Sequence, residues 1–147
     1  MTVGGISDIV FAAALLFWRN YIMLNCVAVG LGGFVGAVAR YLLGLVPLGH
    51  LSSFPFITLL INLLGSFAIG VISQLASDKG SANTQLTLFL KVGVCGGFTT
   101  FSTFALESGN LFQNGKSVSA VVYIVLSVAL CIAGALLGRL IVKKLAA

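Results

Sequence analysis

The stretch GVCGGFTTFSTFALE, residues 93–107, decides the fold of this chain, because it is apolar enough to cross a membrane and yet is interrupted. Its paired glycines are followed by two threonines, a phenylalanine and a Ser-Thr-Phe run. Backbone that leaves the helix at membrane depth is tolerated only where it is buried in protein or lines a polar cavity. Such a break is typical of an ion or substrate site.

The composition indicates whether this stretch lies in water or in a membrane. Hydrophobic residues make up 59% of the 147 residues and charged residues 7%, and the mean hydropathy is +1.16. These values lie far outside the range of a soluble domain. Four apolar stretches approach the roughly 20 residues that a helix needs to cross the hydrocarbon core. They are residues 20–39, 54–77, 92–106 and 118–138, the third extending to 86–112. The sequence therefore predicts an all-α membrane protein with four transmembrane helices.

The predicted loops are short and polar, at residues 44–53, 78–85 and 109–117. Short loops make consecutive helices antiparallel neighbours and leave no room for a domain outside the membrane. Four packed helices fill their own core with side chains. A pathway through the membrane is therefore expected to need more than one subunit.

Residues 1–22 form an N-terminal extension to the predicted transmembrane domain, residues 23–147. Residues 9–18 are wholly apolar, but a helix of that length covers only about 15 Å of a core about 30 Å thick. We expect an interfacial helix with Trp18, Arg19 and Tyr21 at the headgroups. A disordered extension is the alternative.

Three pairs of glycines occur at the spacing that lets helix backbones approach closely in lipid. They are Gly32 and Gly36, Gly93 and Gly97, and Gly134 and Gly138. The pairs predict tight helix packing and carry no information about function.

The chain holds few groups that could perform chemistry. It has one His and three acidic residues, and its cysteines, Cys26, Cys95 and Cys131, stand singly in separate apolar helices. Neither a metal site nor a nucleophile triad can be built from this set. We expect the cysteines to be small core residues, and we do not expect an enzyme.

Uncharged polar residues follow one stripe on each of two predicted helices, because they are four residues apart. The stripes are Thr58, Asn62 and Ser66 on the second helix, and Tyr123, Ser127 and Cys131 on the fourth. A hydroxyl that bonds back to its own helix is the plain interpretation for any single member. Asn62 is more informative, since an amide cannot satisfy both donors within its own helix and is costly to expose to lipid.

Hydroxyl and amide donors suit a partly dehydrated anion. Phe101 and Phe104 are three residues apart and so share a helix face, and the edge of a phenyl ring carries the positive part of its quadrupole. Two phenylalanines at this spacing are otherwise ordinary core residues. Beside Ser102 and Thr103, they indicate an anion site.

Three motifs together resemble the Fluc (CrcB) family of fluoride channels. They are GGFTTFSTF at residues 96–104, the GxxGAVARY pattern ending at Tyr41, and NLLGSF at residues 62–67. The resemblance covers nearly the whole chain from Met23 onward, with four helices in the family's order.

The resemblance implies an antiparallel, dual-topology dimer with two fluoride pathways. It also implies that the third helix breaks near the bilayer midplane, where backbone carbonyls hold a central sodium ion (Na+). Gly96 and Thr99 match those carbonyl positions. The implied pathway residues are Asn62, Phe101, Phe104, Ser102, Thr103, Tyr123, Ser127, Thr58 and Glu107. Cys131 departs from the pattern, since a hydroxyl is expected there.

Two charged residues near the pathway have alternative interpretations. Arg40 either raises the local anion concentration at one mouth or snorkels from the first helix to the interface. Glu107 would be an unusual lining for an anion path if ionised. It is expected at the mouth, protonated, or bound to water.

The sequence thus predicts a passive, fluoride-selective channel that exports cytoplasmic fluoride across a prokaryotic inner membrane. Its expected partners are fluoride, the lipid bilayer and a second copy, with no nucleic acid. One alternative is an exporter of the small multidrug resistance type, which would need a carboxylate deep in the first helix. Another is a non-transporting assembly subunit, for which the polar stripes would have no purpose.

The uneven distribution of basic residues argues against dual topology. Six of the eight Lys and Arg residues fall on one predicted side: Arg19, Lys79, Lys91, Arg139, Lys143 and Lys144. Arg40 and Lys116 fall on the other. Insertion both ways requires a near balance, so a fixed orientation paired with an oppositely oriented homologue is the alternative to an antiparallel homodimer.

Overall fold

The computed structural model describes residues 4–46, 54–78 and 84–146, and within these ranges the chain is helical apart from turns and short connections. The α-helices are α1 (Gly4–Gly44), α2 (Phe56–Asp78), α3 (Thr84–Thr87), α4 (Gly96–Phe98), α5 (Phe101–Gln113) and α6 (Ser117–Leu145). A π-helical segment, Leu88–Cys95, joins α3 to α4.

Four segments are long and apolar enough to cross a membrane. They are span 1 (Trp18–Gly44), span 2 (Phe56–Ser77), span 3 (Gln85–Gln113) and span 4 (Ser117–Leu145). Span 3 runs through several consecutive helical elements, whereas each of the others lies within a single helix. The predicted all-α class with four membrane-spanning helices is confirmed, and the chain is a multi-pass membrane protein.

The first helix begins well before the first span. It runs without a break from Gly4 to Gly44, so the N-terminal extension continues span 1 instead of forming a separate helix. Phe11 and Trp18 are 67% and 70% exposed. The interfacial position of this extension stays a prediction.

The spans pack in two pairs, α1 on the first half of span 3 and α2 on α6. Gly36 lies against the backbone of Val94, and Gly138 lies against that of Phe67. A Cβ atom at either glycine would overlap those backbone atoms, which cannot move aside as a flexible side chain can. The glycine pairs therefore set the distance between helices, and the predicted tight packing is confirmed.

Span 3 leaves the helical conformation at two residues. Thr99 (φ −78°, ψ 157°) and Thr100 (φ −147°, ψ 110°) have extended backbones between α4 and α5. The Thr99 amide and hydroxyl both donate to the Cys95 carbonyl, at 3.0 and 2.9 Å. These bonds complete the last turn before the extended pair, which separates the two halves of span 3.

A tight turn joins α5 to α6. Gly115 has a φ of 72°, and the amides of Gly115 and Lys116 donate to the carbonyls of Phe112 and Leu111, the pattern of a Schellman cap. The loop predicted at residues 109–117 is thereby reduced to three residues. The other two predicted loops, and with them Lys79, lie largely outside the described residues.

Candidate functional site

The candidate site is centred on Thr100, which starts α5. Its hydroxyl oxygen accepts a hydrogen bond from the Thr103 amide at 3.2 Å, which is the usual role of an N-cap threonine. The same hydroxyl donates to Thr103 Oγ1 at 2.9 Å, and it lies 3.3 Å from Ser102 Oγ. Thr100 therefore positions both hydroxyl-bearing residues that follow it.

Asn62 of α2 forms two hydrogen bonds with the backbone of Thr100. The Thr100 amide donates to Asn62 Oδ1 at 2.8 Å, and Asn62 Nδ2 donates to the Thr100 carbonyl at 3.1 Å. One side-chain amide thus pairs with both backbone groups of one residue. This pairing resolves the question of how the Asn62 amide is satisfied inside an apolar helix bundle.

Arg40 of α1 contacts the backbone of span 3 just before the extended pair. Its Nε donates to the Gly97 carbonyl at 3.1 Å, and the residue is half-buried. Neither expectation for Arg40, at the pathway mouth or at the interface, included a contact with the backbone of span 3.

Glu107 joins α2, α5 and α6 through its carboxyl group. Thr58 Oγ1 donates to Oε1 and the Tyr123 hydroxyl donates to Oε2, both at 2.8 Å. Thr58 and Tyr123 are themselves buried. Each carboxyl oxygen therefore accepts a hydrogen bond from a hydroxyl of a different helix.

A row of aromatic rings runs from the extended pair toward Glu107. The ring centroids of Phe101 and Phe104 are 5.4 Å apart, and those of Phe104 and Tyr123 are 5.2 Å apart. Both distances lie in the range of favourable aromatic contacts. The two phenylalanines differ in burial, since Phe104 is 9% exposed and Phe101 is 79% exposed. Phe101 therefore lies on the outer surface of the subunit.

Three cavities adjoin these residues. The inner cavity, of about 310 Å³, includes Asn62, Gly96, Thr99, Phe101, Phe104 and Ser127 in its lining. The Arg40 cavity, of about 560 Å³, includes Arg40, Thr58, Thr100, Thr103 and Glu107. The Lys116 cavity, of about 340 Å³, includes Thr58, Glu107, Asn110, Asn114 and Lys116.

Ser127 stands out in the inner cavity. It is 5% exposed, and within the described ranges its Oγ makes no hydrogen bond of normal geometry, although the Tyr123 hydroxyl, one turn earlier on α6, interacts with it. The Ser127 hydroxyl is therefore a buried polar group on the wall of this cavity. Cys131 and Ser66 line the same cavity.

The structure brings most of the predicted site residues together, in two groups. Asn62, Gly96, Thr99, Phe101, Phe104 and Ser127 line the inner cavity, and Arg40, Thr58, Thr103 and Glu107 line the Arg40 cavity. Tyr123 lies behind Glu107 as its hydrogen-bond donor. Ser102 is exposed and is absent from the linings of these three cavities.

Sequence reasoning missed two members of the site, Thr100 and Gly97. Thr100 is detectable in principle, because a threonine three residues before Thr103 at the start of a helix has the spacing of an N-cap. The involvement of the Gly97 carbonyl leaves no trace in the sequence, since it depends on which helix packs against span 3.

The fold and site define a multi-pass membrane protein with an interrupted span and polar cavities inside its helix bundle, as in ion channels and transporters. The profile of the CrcB-like protein, Camphor Resistance (CrcB) family matches residues 27–139. A fluoride-specific ion channel FluC from Ruminiclostridium cellulolyticum is 54% identical over 125 residues, which cover 84% of this chain and 96% of that protein.

Two further relatives carry the same name. The protein from Chlorobaculum tepidum is 44% identical over 122 residues, covering 83% of this chain and 97% of the relative. The protein from Rhizobium johnstonii is 40% identical over 125 residues, covering 84% of this chain and 100% of the relative. The chain therefore belongs to the CrcB family, and the resemblance found in its sequence is confirmed.

Proposed function

We propose that this protein is a passive, fluoride-selective channel that exports cytoplasmic fluoride. Relatives named as fluoride-specific ion channels match more than four fifths of the chain at 40–54% identity. The structural observation that carries the proposal is the buried Ser127 hydroxyl, which shares the inner cavity with the Asn62 amide and with the rings of Phe101 and Phe104.

This combination suits a small anion that has lost part of its water. A hydroxyl donates a directed hydrogen bond, and ring edges add weak positive contacts. Burial strengthens both contacts because the surroundings have a low dielectric constant. The proposed pathway residues are Asn62, Phe101, Phe104, Ser102, Thr103, Tyr123, Ser127, Thr58, Glu107 and Arg40.

The proposed pathway connects the Arg40 cavity with the inner cavity. Arg40 supplies positive charge to the wider cavity, where anions would collect before they lose water. Asn62 and the extended pair lie between the two cavities. Both carboxyl oxygens of Glu107 already accept hydrogen bonds from Thr58 and Tyr123, so they have donors beside the proposed anion path.

A second copy is proposed to complete the pathway. Phe101 is 79% exposed although it lines the inner cavity, so this cavity opens onto the outer surface of the subunit. Gly96 is exposed on the same cavity, and a Cβ there would meet nothing within 4 Å. We propose an antiparallel homodimer with two pathways in a prokaryotic inner membrane, the extended pair near the bilayer midplane.

The donor set at the extended pair fits a structural sodium ion. In an uninterrupted helix the Gly96 and Thr99 carbonyls would accept from the amides of Thr100 and Thr103. Those amides donate instead to Asn62 Oδ1 and to Thr100 Oγ1. Both carbonyls thus lose their helical donors, and carbonyl oxygens are suitable ligands for a hard cation.

Gly96 and Thr99 from two copies would supply four oxygens to such an ion. When bound, sodium would offset the partial negative charges of these oxygens and hold the two copies together. The chain's own part is to keep the carbonyls free of helical donors and, at Gly96, free of a side chain.

The proposal also covers the domain organisation of the chain and the two alternative functions. Residues 23–147 form the proposed single channel domain, and the N-terminal extension, residues 1–22, is proposed to reach the membrane interface through the part of α1 that precedes span 1. An exporter of the small multidrug resistance type is disfavoured, because span 1 carries Arg19 and Arg40 and no carboxylate. An assembly subunit would leave the polar residues of the inner cavity without a purpose.

The proposal is tested by fluoride efflux from liposomes that contain the purified protein, recorded with a fluoride electrode. We expect rapid fluoride efflux that is driven by the gradient alone, and much slower chloride efflux from matched liposomes. Proton-coupled export of an organic cation would favour the exporter. Efflux no faster than from empty liposomes, with protein that is correctly folded and inserted, would refute the channel.

A further inference from the structure

We infer that Arg40 and Asn62 are positioning residues that hold span 3 open at the extended pair, by satisfying backbone groups that the helix leaves unpaired there. This inference concerns the backbone contacts themselves, and it rests on the proposed function only for its flux measurement. It gives Arg40 a role that depends on a hydrogen bond, in addition to the proposed role of its charge.

The backbone hydrogen bonds around the extended pair carry the inference. In a continuous helix the amides of Thr100 and Phe101 would donate to the carbonyls of Gly96 and Gly97. Here the Thr100 amide donates to Asn62 Oδ1 at 2.8 Å, and the Gly97 carbonyl accepts from Arg40 Nε at 3.1 Å. Side chains thus replace the helical partners of one backbone donor, the Thr100 amide, and of one backbone acceptor, the Gly97 carbonyl.

Asn62 makes a second bond to the same residue, because its Nδ2 donates to the Thr100 carbonyl at 3.1 Å, which as the N-cap carbonyl also accepts the first bond of α5. Thr100 is 9% exposed, so water is poorly placed to replace these bonds. A buried backbone group without a partner is costly in apolar surroundings. The extended conformation of Thr100 therefore depends on the Asn62 amide.

The two residues hold the extended pair from different helices. Arg40 belongs to α1 and contacts the last residues before the pair, whereas Asn62 belongs to α2 and contacts the pair itself. Neither contact replaces the other. Together they fix where α4 ends and where Phe101 begins α5, and so they set the place of every group that follows in the site.

Arg40 offers a matched pair of substitutions. Gln places its side-chain nitrogen the same number of bonds from Cα as the Nε of Arg, so Arg40→Gln keeps the donor and removes the charge. Lys has a methylene at that point, so Arg40→Lys keeps the charge and removes the donor. A positioning role predicts that Arg40→Gln lowers fluoride flux, because the charge in the Arg40 cavity is lost, but keeps a flux about tenfold or more above that which remains in Arg40→Lys.

Hydrogen exchange of the Thr100 amide measures the contacts without reference to flux. Peptides that cover residues 97–103 of the detergent-solubilised protein are compared by mass spectrometry. We expect faster exchange in Asn62→Leu and Arg40→Lys, and wild-type exchange in Arg40→Gln. Ser77→Ala is the control, because it removes an exposed hydroxyl-to-backbone bond on the same helix, far from the site.

The outcomes separate this inference from the proposed channel. Retained flux in Arg40→Lys with lost flux in Arg40→Gln would assign Arg40 to charge and overturn the inference. Unchanged exchange at residues 97–103 in both Asn62→Leu and Arg40→Lys would overturn it as well. If the wild type passes no fluoride, the channel proposal fails, while the exchange rates still decide whether the two side chains hold the backbone.

Discussion

At the scale of single residues, Phe101 and Phe104 show how neighbouring positions on one helix face acquire different surroundings. Phe104 is buried against Tyr123, whereas Phe101 is largely exposed on the same cavity. Their ring centroids are nevertheless only 5.4 Å apart. Phe104 thus belongs to the core of the subunit, and Phe101 is available to a second copy.

Replacing either phenylalanine with Ile tests whether ring edges contact fluoride. The substitution keeps an apolar side chain but removes the quadrupole, and we expect fluoride flux to fall about tenfold or more in each variant. Phe104→Ile should also lower stability, since it loses a ring contact with Tyr123 worth about 0.5–1.5 kcal/mol. Phe101→Ile should lower stability less, because it loses only the contact with Phe104 and Phe101 is largely exposed.

Fluoride flux is measured by liposome efflux and stability by thermal unfolding of the same preparations. Size-exclusion chromatography checks assembly. Wild-type flux in both variants would show that these rings are packing residues and that the anion does not touch them.

The site residues also show how far a sequence can be interpreted. The four-residue spacing of Thr58 and Asn62 predicted that both lie on one stripe, and both do contact span 3. Their partners could not be predicted, because a hydrogen bond between helices depends on the rotation and height of each helix. For the same reason the sequence indicated Asn62 as a polar group facing the pathway, and did not indicate its two bonds to Thr100.

At the scale of elements, the four spans follow from apolar composition alone, because a helix is the only single-segment structure that satisfies its backbone in lipid. The start of α1 does not follow from composition. Residues 9–18 are too short to span, but they continue the same helix as span 1, and neither a proline nor a charge cluster interrupts it. The π-helical segment Leu88–Cys95 has no sequence signal that we recognise.

Gly36 and Gly96 should respond differently to substitution by Val. Gly36→Val should prevent folding, because its Cβ would overlap the backbone of Val94 in the α1 contact with span 3. Gly96→Val meets open space within the subunit, so the fold should survive while the pairing of two copies, and with it fluoride flux, is lost.

Circular dichroism and cross-linking in membranes distinguish the two variants. We expect little recoverable protein for Gly36→Val, and a helical but monomeric protein for Gly96→Val. A fully active dimer with Val at position 96 would remove Gly96 from both the proposed contact and the proposed sodium site.

At the scale of the whole molecule, the distribution of basic residues opposes the proposed dual topology. Lys143 and Lys144 lie in the last turn of α6, on the side that carries six of the eight basic residues. Arg40 donates to the Gly97 carbonyl inside the bundle, so Lys116 is the clearer basic residue of the opposite side. Charge alone therefore favours one orientation, and the proposed antiparallel pair would have to form despite this bias.

A single cysteine at Ala147, in a variant without the three native thiols, measures the orientation. It is labelled from outside intact cells with a reagent that does not cross the membrane. We expect about half of the chains to be labelled, as dual insertion requires. Labelling near zero, together with no flux from the protein alone, would show a fixed orientation and the need for an oppositely oriented homologue.

The Gly96 carbonyl has a consequence for the proposed assembly of newly made chains. Under the proposed pairing, an unpaired copy would leave this carbonyl without its helical donor on an exposed residue, a situation that lipid penalises strongly. Unpaired copies would then be the least stable form of the protein, and membrane quality control should degrade them first. In a pulse-chase measurement, freshly synthesised chains should decay quickly at low expression, and chains that have found a partner should persist through many generations of cells.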